Sequence, residues 1–444
     1  MLIQFTVGNF RSFREPVTLS MEAAPIKSED KDVDANNLIE INKNLTLLSS
    51  VAIYGNNASG KSNLLAALAF MRHFVLNSVS ESQTERPIKV DQFRLSTATI
   101  TKPAFFEIIF LLENQKYRYG FEVDQSKVER EWLYFTPTIR EAKLFVRDGT
   151  SIQPNPRMFR EGNGLEERTR PNALFLSVVG QFNGPIAQKI IGWFRNVRYV
   201  SGLNDVLYRE FTLSRYQKDP VLREQILNLV HSLDVGIENV KVEDLEPRQM
   251  SLTKNISEGL RELILESPYK VKSTQTEHTQ YDEKGFPAGK VDFDLEENES
   301  EGTKKLFFLS GTILDVLSSG KVFVVDEMEA RMHPLITCRI IQLFNSKKTN
   351  PKHAQLIFTT HDTNLLNRNL FRRDQIWFVE KDSYGASHLY SLVEFKLRND
   401  ESYEKNYLRG KFGAIPYLGD ISQIQSINED ENVETQEPGD ESEN

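Results

Sequence analysis

The sequence has almost nothing that a covalently stapled or membrane-embedded architecture would need. Its single cysteine, Cys338, cannot close an internal disulfide, so the 444 residues must be held together by packing. No apolar run approaches the ~18 residues of a membrane span, and LLAALAFM from Leu64 to Met71 is among the longest. The opening MLIQFTVGNFRSF lacks the basic-then-apolar order of a secretory leader, and the expected compartment is the cytoplasm, with no membrane partner. No internal repeat of about 20 to 50 residues and no sustained heptads are present, which excludes solenoids and long coiled coils. Charge of one sign is scarce as well. The 54 Lys+Arg stand against 63 Asp+Glu, a net of −9, and residues 421–444 hold eight acids with no Lys or Arg. Without that segment the net charge is −1, so the total charge argues neither for nor against a local nucleic-acid groove. A segment so polar and one-signed cannot offset its own ordering entropy, and 419–444 is expected to be a disordered acidic tail.

What is there suffices for a large core, with 39% hydrophobic and 10% aromatic residues. LIQFTVGNF and SSVAIYG read as strands, and the second runs into a glycine-rich turn. Past the turn, Leu64, Leu68, Met71 and Val75 recur at helical spacing. FFEIIFLLE, KYRYGFEV, EREWLYFT and AKLFVRD, separated by short polar breaks, predict an antiparallel meander. AQKIIGWFR and PVLREQILNLVHSL predict a helical middle. KVFVVDE, QLIFTTH and DQIWFVEK are later apolar strands alternating with helical stretches at Thr303–Ser318 and Thr337–Asn345, which predicts a mainly parallel sheet. The expected division is 1–100 and 296–418 as the two parts of an α/β core, 101–150 as a β-lobe, 151–295 as a helical lobe with an insertion, and 419–444 as the tail.

Gly55-Asn56-Asn57-Ala58-Ser59-Gly60-Lys61-Ser62 fits the phosphate-loop pattern G-x-x-x-x-G-K-[ST], between a strand and a helix as that pattern demands. Glycines let the backbone turn tightly enough for its N–H groups to surround a polyphosphate, and the helix that follows aims its positive end at the same anion. Lys61 would reach the β/γ-phosphates and Ser62 would hold Mg²⁺. Val322–Val325 is a strand buried on both faces, and two acids follow it. Asp326 fits a metal-side ligand and Glu327 the carboxylate that orients the attacking water. Leu356–Thr359 ends in Thr360-His361-Asp362, with His361 lying 34 residues beyond Glu327. Ligands of open α/β sheets bind at the carboxyl ends of the strands, where His361 could meet a γ-phosphate or the water.

Taken together, FTVGNFRSF, GNNASGKS, Ser300-Glu301-Gly302-Thr303, VFVVDE, Glu329–Pro334 and TTHD make the chain resemble the ABC-type ATPase heads of the SMC, RecF and OLD group. More narrowly, ESEGTKKLF, DEMEARMHP, DQIWFVEKD and YLRGKFGAIP look like the prokaryotic AAA-family ATPases of the AbiL, RloA and AriA type, which are associated with abortive infection and phage defence. The likeness covers about residues 1–418. It implies an α/β fold: an ABC-type head with a mixed, mainly parallel core sheet, an antiparallel β-lobe and a helical lobe. It implies ATP and Mg²⁺ as cofactors. It also implies a composite site, in which Ser300 and Gly302 of one subunit cap the nucleotide held by Gly55–Asn63 of another, so that the chain would be at least a dimer. Arg11 matches a basic residue that approaches phosphate in related heads. For the glutamine that contacts metal or water, Gln181 at the end of FLSVVGQ stands in the right order, whereas Gln92 precedes the meander.

Two functions compete on these grounds. One is a nucleotide-driven sensor or scaffold in anti-phage defence that controls a separate effector such as a nuclease or toxin, because only about 60 residues follow His361 before the tail and they hold no nuclease cluster. The other is a RecF-like DNA-maintenance ATPase that clamps duplex. A transporter subunit is disfavoured by SEGT in place of LSGGQ, and SMC-like bridging by the lack of heptads between Lys61 and Ser300.

Overall fold

The computed structural model describes residues 1–83, 87–233, 236–245, 271–398 and 401–416, so the expected acidic tail lies outside the described residues. In chain order the first elements are β1 (Leu2–Gly8), β2 (Val17–Ser20), α1 (Lys31–Asn37), β3 (Leu38–Asn42), β4 (Leu45–Leu48), β5 (Ser50–Tyr54) and α2 (Lys61–Glu81). There follow β6 (Ala104–Leu112), β7 (Gln115–Val123), β8 (Val128–Thr136), β9 (Ala142–Asp148), β10 (Ser151–Pro154), α3 (Phe175–Gln181), α4 (Pro185–Arg195), β11 (Val197–Ser201), α5 (Val206–Lys218) and α6 (Pro220–Ser232). The remainder is β12 (Asn239–Leu245), β13 (Val271–Tyr281), β14 (Pro287–Asp294), α7 (Leu295–Asn298), α8 (Glu301–Ser319), β15 (Val322–Asp326), α9 (Pro334–Asn345), β16 (Gln355–Thr359), β17 (Ile376–Lys381), β18 (Ser387–Ser391) and α10 (Tyr403–Leu408).

The strands that read as continuous apolar runs form the central sheet, in the order β11-β15-β16-β5-β17-β18, parallel except for β18. Their side chains alternate between two cores. Val51, Ile53, Val322, Val324 and Ile357 face one, and Ala52, Tyr54, Phe323, Val325 and Phe358 face the other, so both sides of the sheet are covered as a parallel sheet requires. On the first side lies α2, whose Leu64, Leu68, Met71 and Val75 are buried as the helical spacing predicted. Beyond α2 stands a seven-stranded antiparallel sheet, β10-β9-β8-β7-β6-β1-β2. Aromatic pairs join helix to sheet, with Phe70 5.0 Å from Phe106 and Phe74 5.5 Å from Phe121 between ring centroids. On the second side pack α5, α6, α8 and α9, carrying Leu213, Ile226, Phe307, Phe308 and Ile340. This mixed α/β architecture, with a parallel core sheet and an antiparallel β-sheet flanking it, is the expected fold class.

Two features differ from the sequence expectation. The first strand pairs with β6 and β2 rather than with β5, so residues 2–20 belong to the antiparallel sheet although they precede the phosphate loop. The stretch 151–295, expected as a helical lobe with an insertion, is divided: α3 and α4 pack beside α2, α5 and α6 pack on α8, VRYVS is the edge strand β11 of the central sheet, and β12-β13-β14 form a separate antiparallel sheet. The reason is physical. Arg198 and Tyr199 break the apolar run of VRYVS, and β13, with Ser273, Thr274, Gln275, Thr276, Glu277 and His278, is polar on both faces and lacks the apolar alternation that marks a half-buried strand.

Candidate nucleotide site

The site stands at the carboxyl ends of β5, β15 and β16, three adjacent parallel strands. All five residues of β5 are buried, and the chain leaves the sheet at Gly55 to begin the loop. Ala58 (φ 60°) and Gly60 (φ 113°) are both left-handed, which lets the loop turn tightly between the strand and the helix, with the Ser59 amide donating to Asn56 O at 3.3 Å. Gly60 could be nothing else: besides its φ, a Cβ there would run into the hydroxyls of Ser387 and Ser12. Gly60 is also the N-cap of α2 and offers no side-chain hydrogen bond, which leaves the first amides of a 21-residue helix available to an anion.

Within this loop Asn57, Ala58 and Ser62 are exposed, whereas Lys61 is 5% exposed and folds back so that Nζ donates to the carbonyls of Gly55 and Asn56, both at 2.9 Å. Burial lowers its pKa to about 8, against the pull of Asp326, Glu327 and Glu329. Asn63 does not face the loop's centre. Its amide donates to Ser12 Oγ at 2.8 Å and ties the start of α2 to the NFRSF turn.

The register of β15 against β16 pairs Val325 with Phe358, which brings Thr359 beside Asp326. A hydrogen-bond chain results. Ser62 Oγ donates to Asp326 Oδ1 at 3.0 Å, Thr359 Oγ1 donates to the same oxygen at 2.6 Å, and the Glu327 amide donates to Thr359 Oγ1 at 2.8 Å. Glu327 sits at φ +52°, a strained position for a side chain with a Cβ, and is held there from two sides. Gly202 packs so closely under it that a Cβ would overlap the Glu327 carbonyl, and the Gly202 amide donates to Asp326 O at 2.6 Å. His361 follows β16, and its amide donates to Glu329 Oε1 at 2.5 Å. Desolvation and the Lys61 charge lower the His361 imidazole pKa, while the Glu329, Glu327 and Asp326 charges pull it up.

The residues fit a nucleotide and a hard cation. Seven buried polar side-chain atoms among the described residues lack a partner, and four of them, on Asn56, Ser59, Glu329 and Asp362, belong to the phosphate loop and the acid and histidine strand ends. Ser62 and Asp326 present a hydroxyl and a carboxylate to one point, a donor set suited to Mg²⁺, which takes most of its remaining ligands from phosphate and water. Among the described residues no group of three His, Cys, Asp or Glu could hold a metal.

Not every residue expected here arrives. Gln181 ends α3 and borders a cavity with Val75, Val79 and Gln83, near the far end of α2. Val75 is fourteen residues beyond Lys61, on the order of 20 Å along the helix axis, so Gln181 is not brought to the phosphate loop; chain order alone did not resolve this, because α3 runs beside the wrong end of α2. Ser300 and Gly302 open α8, where Ser300 Oγ accepts from the Thr303 amide at 3.1 Å and Glu301 pairs with Arg331 at 2.8 Å, on the segment just after Glu327. Arg11 (φ +48°) is exposed, 3.6 Å from Asp91, and close enough to Tyr199 to oppose the rise in its pKa caused by burial and Asp326. Sequence reasoning passed over Thr359, Gly202 and Lys305. Lys305 is 4% exposed and binds the carbonyls of Met328 and Ala330 at 3.0 and 2.6 Å, fixing the turn that carries Glu329. Only Thr359 had a signal, a hydroxyl at the end of an apolar strand neighbouring the acid pair.

Residues 50–367 match the family model described as "AAA domain, putative AbiEii toxin, Type IV TA system". No curated protein matches the chain. Among solved structures, the SMC head bound to the C-winged helix domain of ScpA is similar over 88% of this chain and 97% of that one, with 13% identity and a TM-score of 0.45. The SMC head domain from Thermotoga maritima matches over 89% and 99%, with 13% identity and a TM-score of 0.39. The Smc head of Pyrococcus furiosus, carrying an extended coiled coil and bound to the C-terminal domain of ScpA, matches over 92% and 98%, with 13% identity and a TM-score of 0.36. Likenesses of this size carry no argument about activity.

Proposed function

The chain belongs to this AAA-domain family, and from that membership we propose that it binds ATP with Mg²⁺, hydrolyses it to ADP and phosphate at sites shared between two copies, and uses the cycle to hold or release a separate effector in defence against phage. The observation that carries the reading is the convergence of Ser62, Asp326, Thr359 and Glu327 in one hydrogen-bond chain at the mouth of the phosphate loop.

The loop amides and Lys61 hold the phosphate charge, and Lys61 exchanges its two loop carbonyls for phosphate oxygens. Ser62 and Asp326 would hold Mg²⁺, which when bound would supply positive charge beside the phosphates. Glu327, fixed by Thr359 and Gly202, takes the proton of the attacking water, and His361 reads the presence of the γ-phosphate. Ser300, Gly302 and the N-terminus of α8 close the site from the second copy, so that nucleotide joins two heads and hydrolysis parts them.

The family description names a toxin of a toxin–antitoxin system, which supports a role in controlled growth arrest. The decisive experiment is purification of Glu327→Gln in MgATP. The expected result is loss of turnover by about 10²- to 10⁴-fold with ATP retained, and an associated form that brings down a nuclease or toxin. If the wild-type chain alone cuts DNA or RNA and Glu327→Gln abolishes the cutting, the separate-effector reading is refuted.

A further inference from the structure

The edge strand β11 carries a second cavity, of about 290 Å³, on the rim of the central sheet. Its walls come from three elements besides β11: Arg72 from α2, Tyr208 and Phe211 from α5, and Thr312 from α8, with Arg198 and Tyr199 from the strand itself. None of these side chains takes part in the hydrogen-bond chain at the phosphate loop.

Three features mark it as a place for a ligand. First, it holds excess positive charge. Arg72 has its Nε on the carbonyl of Phe194 at 3.2 Å and no carboxylate partner among the described residues. Arg198 has only Asp315, at 3.9 Å, and that carboxylate is held at 2.7 Å by Lys321. Asp315 is therefore shared between Arg198 and Lys321 while Arg72 has no acid among the described residues, and the two guanidiniums lie close enough that Arg198, after burial, adds to the lowering of the Arg72 pKa. Secondly, the Thr312 hydroxyl is buried, 5% exposed, and has no hydrogen-bond partner, in a cavity wall where one from a ligand would satisfy it. Thirdly, Tyr199, Tyr208 and Phe211 give the cavity three aromatic rings, and the Arg198 guanidinium stands 5.7 Å from the Phe211 ring centroid.

Paired guanidiniums recognise a phosphate by fork-like hydrogen bonds, and aromatic walls accept a flat ring. We infer that this cavity is a second anion site, separate from the phosphate loop, for a nucleoside monophosphate or a compound of the same chemistry, a phosphate carried on a planar ring. Tyr199 lies within electrostatic reach of Asp326, so an occupant would sit one strand away from the acid pair. The inference does not depend on ATP hydrolysis.

The test is equilibrium binding of AMP, and separately of inorganic phosphate, to the full chain carrying Lys61→Met, which removes the phosphate loop as a competing site. Saturable AMP binding is expected, weakened about tenfold or more by Arg198→Gln and less by Thr312→Val. Because Thr312 makes no internal hydrogen bond, its valine variant should unfold at the same temperature as its parent, which keeps the test open should Arg198→Gln fold poorly. No saturable binding, binding indifferent to both substitutions, or inorganic phosphate binding as tightly as AMP overturns the proposal.

Discussion

Lys61 is charged, almost fully enclosed, and bonded only to two carbonyls of its own loop, so the free protein should be less stable for having it. The gap between its ordinary pKa of 10.5 and about 8 corresponds to about 3 kcal/mol of unfavourable burial. Its two hydrogen bonds return about 1 kcal/mol each. Lys61→Met keeps the aliphatic volume and removes both effects, so at pH 7 the free variant should match the wild type or exceed it by about 1 kcal/mol. The sign follows from linkage. At pH 7 the lysine is protonated folded and unfolded, and the full penalty is present; between about 8 and 10.5 the folded form gives up its proton first, the penalty fades, and the wild type gains on the variant. With MgATP the order reverses, since a wild type saturated at about 100 times its Kd gains roughly 2.7 kcal/mol. The variant, lacking charge-assisted bonds worth about 1.5–3 kcal/mol each, gains almost nothing. Denaturant unfolding with and without MgATP, across pH 7 to 10, reads every part of this. A free variant several kcal/mol less stable than wild type, or one that keeps the ATP-induced gain, refutes the reasoning.

Raising pH should also weaken ATP binding, by about tenfold at pH 9, as Lys61 titrates through about 8; calorimetry at pH 7 and 9 checks it. Thr359→Val should lower turnover by about 10- to 100-fold and loosen Mg²⁺ dependence while ATP binding persists, because Asp326 and the Glu327 amide both lose the hydroxyl between them. Gly202→Ala should reduce stability by about 1–3 kcal/mol or more, since its Cβ has nowhere to go but into the Glu327 carbonyl; thermal unfolding measures it. Mixing inactive Lys61→Met with inactive Ser300→Arg should restore about a quarter of wild-type turnover if the sites are shared between two copies, and nothing if the signature acts on its own phosphate loop.

The strands β5, β15, β16 and β17 and the helices after them were legible because each is a continuous apolar or 3.6-periodic run bounded by turn residues, and local pattern alone specifies such elements. The polar hairpin of β13 and β14 was not legible, because what β13 buries is Thr274 and Thr276 rather than an apolar alternation, and neither was β11, whose run is broken by Arg198 and Tyr199 and which is a strand beside the open edge of β15. At the site, Lys61, Ser62, Asp326 and Glu327 could be named from spacing. Gln181 could not be placed by order along the chain, since a helix end about 20 Å away satisfies the same order.

The sequence by itself determined the chemistry available: a loop that turns only with glycine at its hinge, a lysine and a serine beside it, and an acid pair and a histidine at strand ends. Those are local properties of residue type and spacing. Only the tertiary structure decided which groups meet. It set Thr359 between Asp326 and Glu327, pressed Gly202 under the strained Glu327, and lined the rim of β11 with two under-paired arginines and the unpartnered Thr312 hydroxyl. Register and packing between segments distant in the chain, 32 residues apart for Glu327 and Thr359 and farther for the rest, fix those meetings, and no local pattern encodes them.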